Sequence, residues 1–414
     1  MIEKKIKNIL WYTAPLFQAG GGERLLFEGL NWLNKNGVNA SLLADGKDIA
    51  PEHFFGKKEI PFAVHVISER NSKNLLRKYH EIYILIKKLN PDIIIANSQT
   101  EAVKLYLLRL IFPDFHFKYV CFIHGSFFQF SDDFEKYMLP FKKHLNVIRL
   151  NDPVYVQQIP EKIPSLNLFM RIKKELSAFA KYEAVHHSNA IFVLTEKAKR
   201  EIALLYNHKN VFFAKGAFSE SEIELKNQPI DLKDRYGCNG KKVIFSLCRL
   251  IEKKRVDFII RAFSILSSTD QDVRLWIGGN GSHKKDLIKL ADELGVSDKI
   301  IFIGFVADNE VIDHYMSADA FICADIADYD ITTHFALALG KKVIVSAQHD
   351  FEVSAQNLHL LFQFENNPEN ASFKMAETLN AAISFSESSH HDYVKNHSWE
   401  SYFKKLYDVM NDVF

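Results

Sequence analysis

CADIADYDITTHFALALGKKVIVSAQ, residues 323–348, is the stretch on which the reading of this chain turns. An apolar strand, Ala320–Cys323, runs out at its start, and a polar loop, Ala324 to Asp330, follows. Thr332 and Thr333 are then expected to cap a helix carrying Phe335, Leu337 and Leu339. Gly340 stops that helix, and Lys342–Val345 is a second buried strand. Strand, loop, helix and strand in this order make a βαβ unit. In open α/β sheets, ligands sit beyond the carboxyl ends of the strands. A helix start placed there offers free N–H groups and a positive dipole end, which suits a phosphate. Most such crossovers bind no phosphate, so the rest of the chain has to decide.

Outward from this unit, short apolar runs alternate with longer amphipathic ones. The expected strands of the first half are Ile6–Tyr12, Asn39–Leu43, Val64–Ser68, Asp92–Asn97, Tyr119–Ile123, Val147–Leu150, Ala190–Leu194 and Asn210–Ala214. Helical patterns such as Glu23–Asn36 and Leu75–Leu89 lie between them. A second series starts near Lys242, with strands Lys242–Leu247, Arg274–Gly278, Lys299–Phe302, Ala320–Cys323, Lys342–Val345 and Leu360–Phe364. Alternating β and α with short connections implies parallel sheets covered on both faces. Lys215–Asp234 is polar and has neither period, so the linker is placed there. The expected fold is α/β, two doubly wound Rossmann-like domains facing across a cleft, and clefts of this kind commonly bind ligands.

Composition sets outer bounds. A chain of 414 residues suggests two domains or three. A net charge of +1 gives no bulk field to select nucleic acid or an acidic membrane. Cys121, Cys238, Cys248 and Cys323 have no metal-ligand spacing and sit mostly in apolar runs, as buried reduced thiols do. The start, MIEKKIKNIL, is charged and leads directly into a strand, unlike a signal peptide. No stretch reaches the length of a membrane span, so residence in the cytoplasm is the default expectation. Leu168–Lys181 reads as an amphipathic basic helix. Such a stripe is more often core on one face and solvated charge on the other, but peripheral contact with a membrane stays open.

Several short motifs sit where strands end. Gly20, Gly21 and Gly22 open the first long helix, where a backbone without side chains can approach a ligand closely. Arg249 and Lys254 follow Lys242–Leu247: a guanidinium can grip two phosphate oxygens, and an ammonium supplies a point charge. Gly278, Gly279, Asn280 and Gly281 follow the next strand, as a turn or as a close approach to a nucleotide. Gly304, Phe305 and Val306 follow a third. His124 ends Tyr119–Ile123, where it could contact a sugar or move a proton. Any one of the 17 histidines is usually structural.

Taken together, GGGER, IHG, RLIEKKRVD, IGGNG, IGFV and FALALGKKVIVS in this order resemble the retaining nucleotide-sugar glycosyltransferases of family four, glycosyl transferases group 1, which have the GT-B fold. NPDIIIA at Asn90–Ala96, NAIFVLTEKAKREI at Asn189–Ile202 and HSWESYFKKLY at His397–Tyr407 match in place. The resemblance implies an N-terminal acceptor domain over 1–215, a nucleotide-sugar donor domain over 216–385, and a last segment, 386–414, whose helix crosses back. It implies that Arg249 and Lys254 hold the donor diphosphate, that His124 meets the donor sugar, and that Gly21 and Gly22 line the cleft. By the same resemblance the backbone at Val306 reads the base, and Thr332 and Thr333 offer helix-start amides to phosphate; Gly279 is placed with the donor-binding residues as a close approach to the nucleotide. The donor would be a UDP- or GDP-sugar and the acceptor a glycan or a lipid-linked molecule. Neither a cofactor, a metal nor nucleic acid is expected, and residence would be cytoplasmic or peripheral on the inner membrane face.

The departures from the family are equally specific. Its two glutamates, seven residues apart, are Ala327 and Phe335 here. The turn glycines are Asp328 and Asp330, placed on the donor's side, and Arg255 replaces another usual glycine. An Asp near a diphosphate is repulsive unless its charge is paired or points away. Two other readings therefore stay open: a catalytically silent protein of this fold acting as partner or scaffold, and, further off, a sugar-nucleotide epimerase.

Overall fold

The computed structural model describes residues 6–13, 21–45, 60–67, 75–124, 167–224, 229–325, 330–347, 360–381 and 387–414. The chain forms two compact units, Met1–Lys215 with Tyr402–Phe414, and Gly216–Ser401. The described strands of the first unit are β1 (Asn8–Thr13), β2 (Asn39–Asp45), β3 (Val64–Ile67), β4 (Ile93–Ala96), β5 (Tyr119–Ile123), β6 (Ala190–Val193) and β7 (Val211–Phe213). They are parallel, in the order β3-β2-β1-β4-β5-β6-β7. The expected strand Val147–Leu150 lies outside the described residues.

The second unit contains β8 (Lys242–Leu247), β9 (Val273–Gly278), β10 (Ile300–Gly304), β11 (Ala320–Cys323), β12 (Lys342–Ser346) and β13 (Leu361–Phe364). These too are parallel, in the order β10-β9-β8-β11-β12-β13. The apolar runs are continuous because both sheet faces are covered. Val243 and Phe245 of β8 pack with Trp276, Phe321 and Val343, whereas Ile244 between them packs with Leu275, Ile322 and Ile344 on the other side. Phe245 is wholly buried, and burying a side chain of that size stabilises by about 1.5–3 kcal/mol. The α/β fold with two doubly wound sheets is as the sequence implied.

In both sheets the chain leaves the first strand toward one edge and later returns to build the other half. The reversal falls between β1 and β4 in the first unit and between β8 and β11 in the second. At such a junction the two connections diverge and leave a crevice beyond the strand ends.

The linker expectation needs correction. Ala217, Phe218, Ile223 and Leu232 are buried in the core of the second unit, and Glu220–Glu224 is a short helix. Phe218 O accepts from Trp399 N at 2.8 Å. These apolar residues are spaced irregularly, so neither helical nor strand period shows them. The C-terminal helix, Trp399–Val413, is tied to the chain just before β1. Tyr407 Oη donates to Ile6 O at 2.7 Å, and Ile6 N donates to Asn411 Oδ1 at 3.2 Å.

Candidate functional site

The charged residues singled out in the second unit gather at the β8/β11 junction. Arg249 follows β8, is exposed, and makes no side-chain hydrogen bond or ion pair among the described residues. Lys254 ends a short 3-10 turn, Glu252–Lys254. Its ammonium pairs with Asp325, which leaves β11 two residues after Cys323. Asp325 is completely buried, and Lys254 nearly so. This pair spans the junction and joins the two diverging connections. Its partners are 71 residues apart, so no local pattern announces it. A buried carboxylate needs such a partner, and removing one member of a buried pair costs about 3–5 kcal/mol.

The glycines after β9 hold this arrangement in place. Cys248 N donates to Gly278 O at 3.2 Å and Leu250 N to Asn280 O at 2.9 Å, so the two loops run together. A Cβ on Gly279 would lie 1.9 Å from Cys248 O, and one on Gly281 would lie 2.1 Å from Leu250 O. Gly279 also has φ +116° and donates its N–H to Gly304 O at 2.6 Å. The chain's own backbone therefore requires these glycines, and their effect is to fix Cys248–Leu250, which carries Arg249. Val306 is buried against Gly278. A Cβ on Gly22, by contrast, would meet nothing within 4 Å.

The helix of the opening stretch runs Ile331–Ala338. Its cap is Asp330, not the two threonines expected there. Thr332 N donates to Asp330 Oδ1 at 3.2 Å and Thr332 Oγ1 to the same oxygen at 2.7 Å. Thr333 Oγ1 donates to Asp330 Oδ2 at 2.6 Å. A carboxylate at this position satisfies an orphan amide and suits the helix dipole, together worth about 1 kcal/mol. The Thr332 amide thus faces Asp330, where an unoccupied amide was expected. Phe335, at the place of a family glutamate, is buried in the core, 6.1 Å from the Phe218 ring and 5.5 Å from the Tyr315 ring. Ala327, Asp328 and Tyr329 lie outside the described residues, as do Gly20 and the aromatics Phe127, Phe128 and Phe130.

Two thiols report the charge around the junction. Burial pushes Cys248 up to about 12, with Asp330 and Asp325 adding to the rise and Lys254 and Arg249 opposing it. Burial likewise raises Cys323, which hydrogen-bonds to Asp330. Both are held as neutral thiols and are poor nucleophiles. Arg255, where the family has glycine, takes φ 53° in the left-handed region. Its guanidinium lies over the Phe258 ring and hydrogen-bonds Asn366.

His124 belongs to the first unit. It ends β5, stacks on Phe122, and its Nε2 meets Asn97 O at 2.8 Å. Asn97 in turn donates to Thr13 Oγ1 and accepts from Trp11 Nε1, both at 3.2 Å. Among the described residues no group of His, Cys, Asp and Glu could hold a metal ion, and no helix is long and apolar enough to cross a membrane.

Residues 231–396 match the glycosyl transferases group 1 family, and the chain has the GT-B fold. In particular, over 167 residues (39% of the chain) it is 25% identical to the alpha-D-kanosaminyltransferase of Streptomyces kanamyceticus, covering 42% of that protein. Over 129 residues (31% of the chain) it is 31% identical to the alpha-monoglucosyldiacylglycerol synthase of Streptococcus pneumoniae, covering 29% of it. The matched stretch thus spans less than half the length of either relative. The fold extends further. The crystal structure of a glycosyltransferase from Rickettsia africae ESF-5 superposes with a TM-score of 0.72 over 99% of both chains, at 16% identity.

Proposed function

We propose that this protein transfers a sugar from a nucleoside diphosphate-sugar to a glycan or lipid-linked acceptor, with retention of anomeric configuration. The observation that carries this reading is that Arg249 and Lys254 both follow β8 at the β8/β11 junction, beside Cys248, in the stretch that matches the group 1 family. Sugar departure builds positive charge on the ring and negative charge on the leaving diphosphate. The protein's largest task is to stabilise the latter. Lys254 shares its charge with Asp325, so Arg249 carries the larger part of that work. Its planar fork suits two phosphate oxygens. Asp325 and Asp330 are both engaged within the chain, so neither serves as a covalent nucleophile. The acceptor attacks from the face that the diphosphate leaves. Phe335 offers no hydrogen bond to a ribose, so the nucleoside is held by backbone and shape. The proposal also assigns His124 to the sugar-transfer step.

A specific observation favours a second reading. Asp325 on Lys254 and Asp330 on the helix start each place a carboxylate where a phosphate would otherwise act. A GT-B protein that binds no nucleotide and serves as a scaffold would look the same here. Thermal shift against UDP and GDP, followed by consumption of the matching sugar donors, separates the two. The transferase reading expects a rise in melting temperature with one nucleotide, abolished in Arg249→Ala. A flat response to both nucleotides, with no donor consumed, leaves the scaffold.

A further inference from the structure

The helix Leu168–His186 is built the wrong way round for a core helix. Surface helices normally turn their large apolar side chains inward. Here the buried residues are the small Ala178 and Ala184 with Val185, on the side that packs against the helix Gln99–Ile111. The large side chains point out. Leu168 is 74% exposed, Phe169 75%, Ile172 51%, Leu176 65% and Phe179 56%. At roughly 100° per residue these five fall within about 100° of the helix circumference, one continuous stripe over three turns. Arg171 and Lys173, both exposed, project on either flank of the stripe at the same spacing. The helix carries four basic residues, Arg171, Lys173, Lys174 and Lys181, against two acidic ones, Glu175 and Glu183. A contiguous exposed apolar patch of this kind marks an interaction surface.

We infer that this stripe is a docking face for a bilayer carrying anionic headgroups. An apolar stripe sinks into the acyl boundary, and the cations beside it meet the headgroup charge. Charge decides the occupant. A second copy of the chain would bring its own arginine and lysines to the same apolar seam, where like charges repel. An anionic lipid surface complements both the stripe and its flanks. The inference goes beyond the proposed transfer reaction and does not depend on it, since adsorption needs no nucleotide.

Co-sedimentation of the full chain with vesicles tests it, using phosphatidylcholine alone or mixed with phosphatidylglycerol. The chain is expected to sediment with the mixed vesicles, and less at high salt, because the attraction between exposed charges is screened. Phe169→Glu with Phe179→Glu should weaken binding by about tenfold or more, since two large apolar groups no longer leave water. Far-UV circular dichroism and melting should be unchanged, because both side chains are already exposed. Arg171→Glu with Lys173→Glu should abolish the preference for phosphatidylglycerol. Leu110→Glu, exposed on another helix, should bind as the parent does. A parent chain that stays in the supernatant overturns the inference, as does a Phe169→Glu, Phe179→Glu variant that binds equally well. A dimer in light scattering that this variant dissolves would assign the face to a second copy and overturn it too.

Discussion

The two units wind their sheets alike but furnish the reversal points differently. In the first, the ends of β1 and β4 join His124 after β5 in a polar network: Thr13, Asn97 and His124, tied by one amide side chain and one carbonyl. Buried charge lies close by: Asp45 at the end of β2 meets Lys78 and Lys104, and Glu101 beside Lys104 is buried at the start of the helix that follows β4. In the second, β8 and β11 end in charge: Lys254 against Asp325, Asp330 on a helix start, and Arg249 exposed beside them. One topology is therefore furnished in two ways. In the first unit the strand ends are tied by an amide and a carbonyl, with the ions paired behind them. In the second an ion pair closes the junction itself, and an exposed guanidinium stands beside it.

The sharpest way to break this contrast is Lys254→Ala. It should remove transfer and also destabilise the second unit by about 3–5 kcal/mol, because a fully buried Asp325 loses its ammonium partner. Chemical denaturation measures the second effect. Lys254→Met with Asp325→Leu should recover most of that stability and none of the transfer; recovery of transfer would take the ammonium out of the reaction. Arg249→Ala comes next. Turnover should fall by about 100-fold or more, as when one charged group on a developing anion is removed. Its unfolding midpoint should not move, since the side chain is exposed. Normal turnover would mean the diphosphate lies elsewhere.

Asn97→Ala probes the first junction. Losing the bonds to Thr13 and Trp11 should cost about 1–3 kcal/mol, with nucleotide affinity in calorimetry unaltered. A fall in affinity would show that the first junction takes part in holding the nucleotide. The smallest effect is expected from Asp330→Ala. Loss of the cap should cost about 0.5–2 kcal/mol, while UDP or GDP binds more tightly because a helix-start amide and a repelling charge are released. Unchanged affinity would place the phosphates away from Thr332.

The architecture was legible because its cause is periodic. Runs such as Lys242–Leu247 and Ala320–Cys323 are apolar throughout, as strands covered on both faces must be. Much of the site was not legible, because its causes are distant. Nothing local to Asp325 points to a lysine 71 positions earlier. The glycines at 279 and 281 read as a turn or as a close approach to a nucleotide, and no local pattern shows that the backbone of Cys248 and Leu250 lies against them. Asp330 could have been foreseen: an Asp directly before an apolar helical run is a strong cap. The threonines after it drew the assignment because they resemble caps as well.

The buried ion pair bears on how such sequences drift over generations. Substituting position 254 alone takes the ammonium away from a carboxylate in the protein interior, so this lysine would be retained by folding even in a lineage where the reaction had lapsed. Its presence in a motif is then a record of solvation, and the exposed arginine at 249, which nothing described in the fold requires, is the better witness to surviving chemistry.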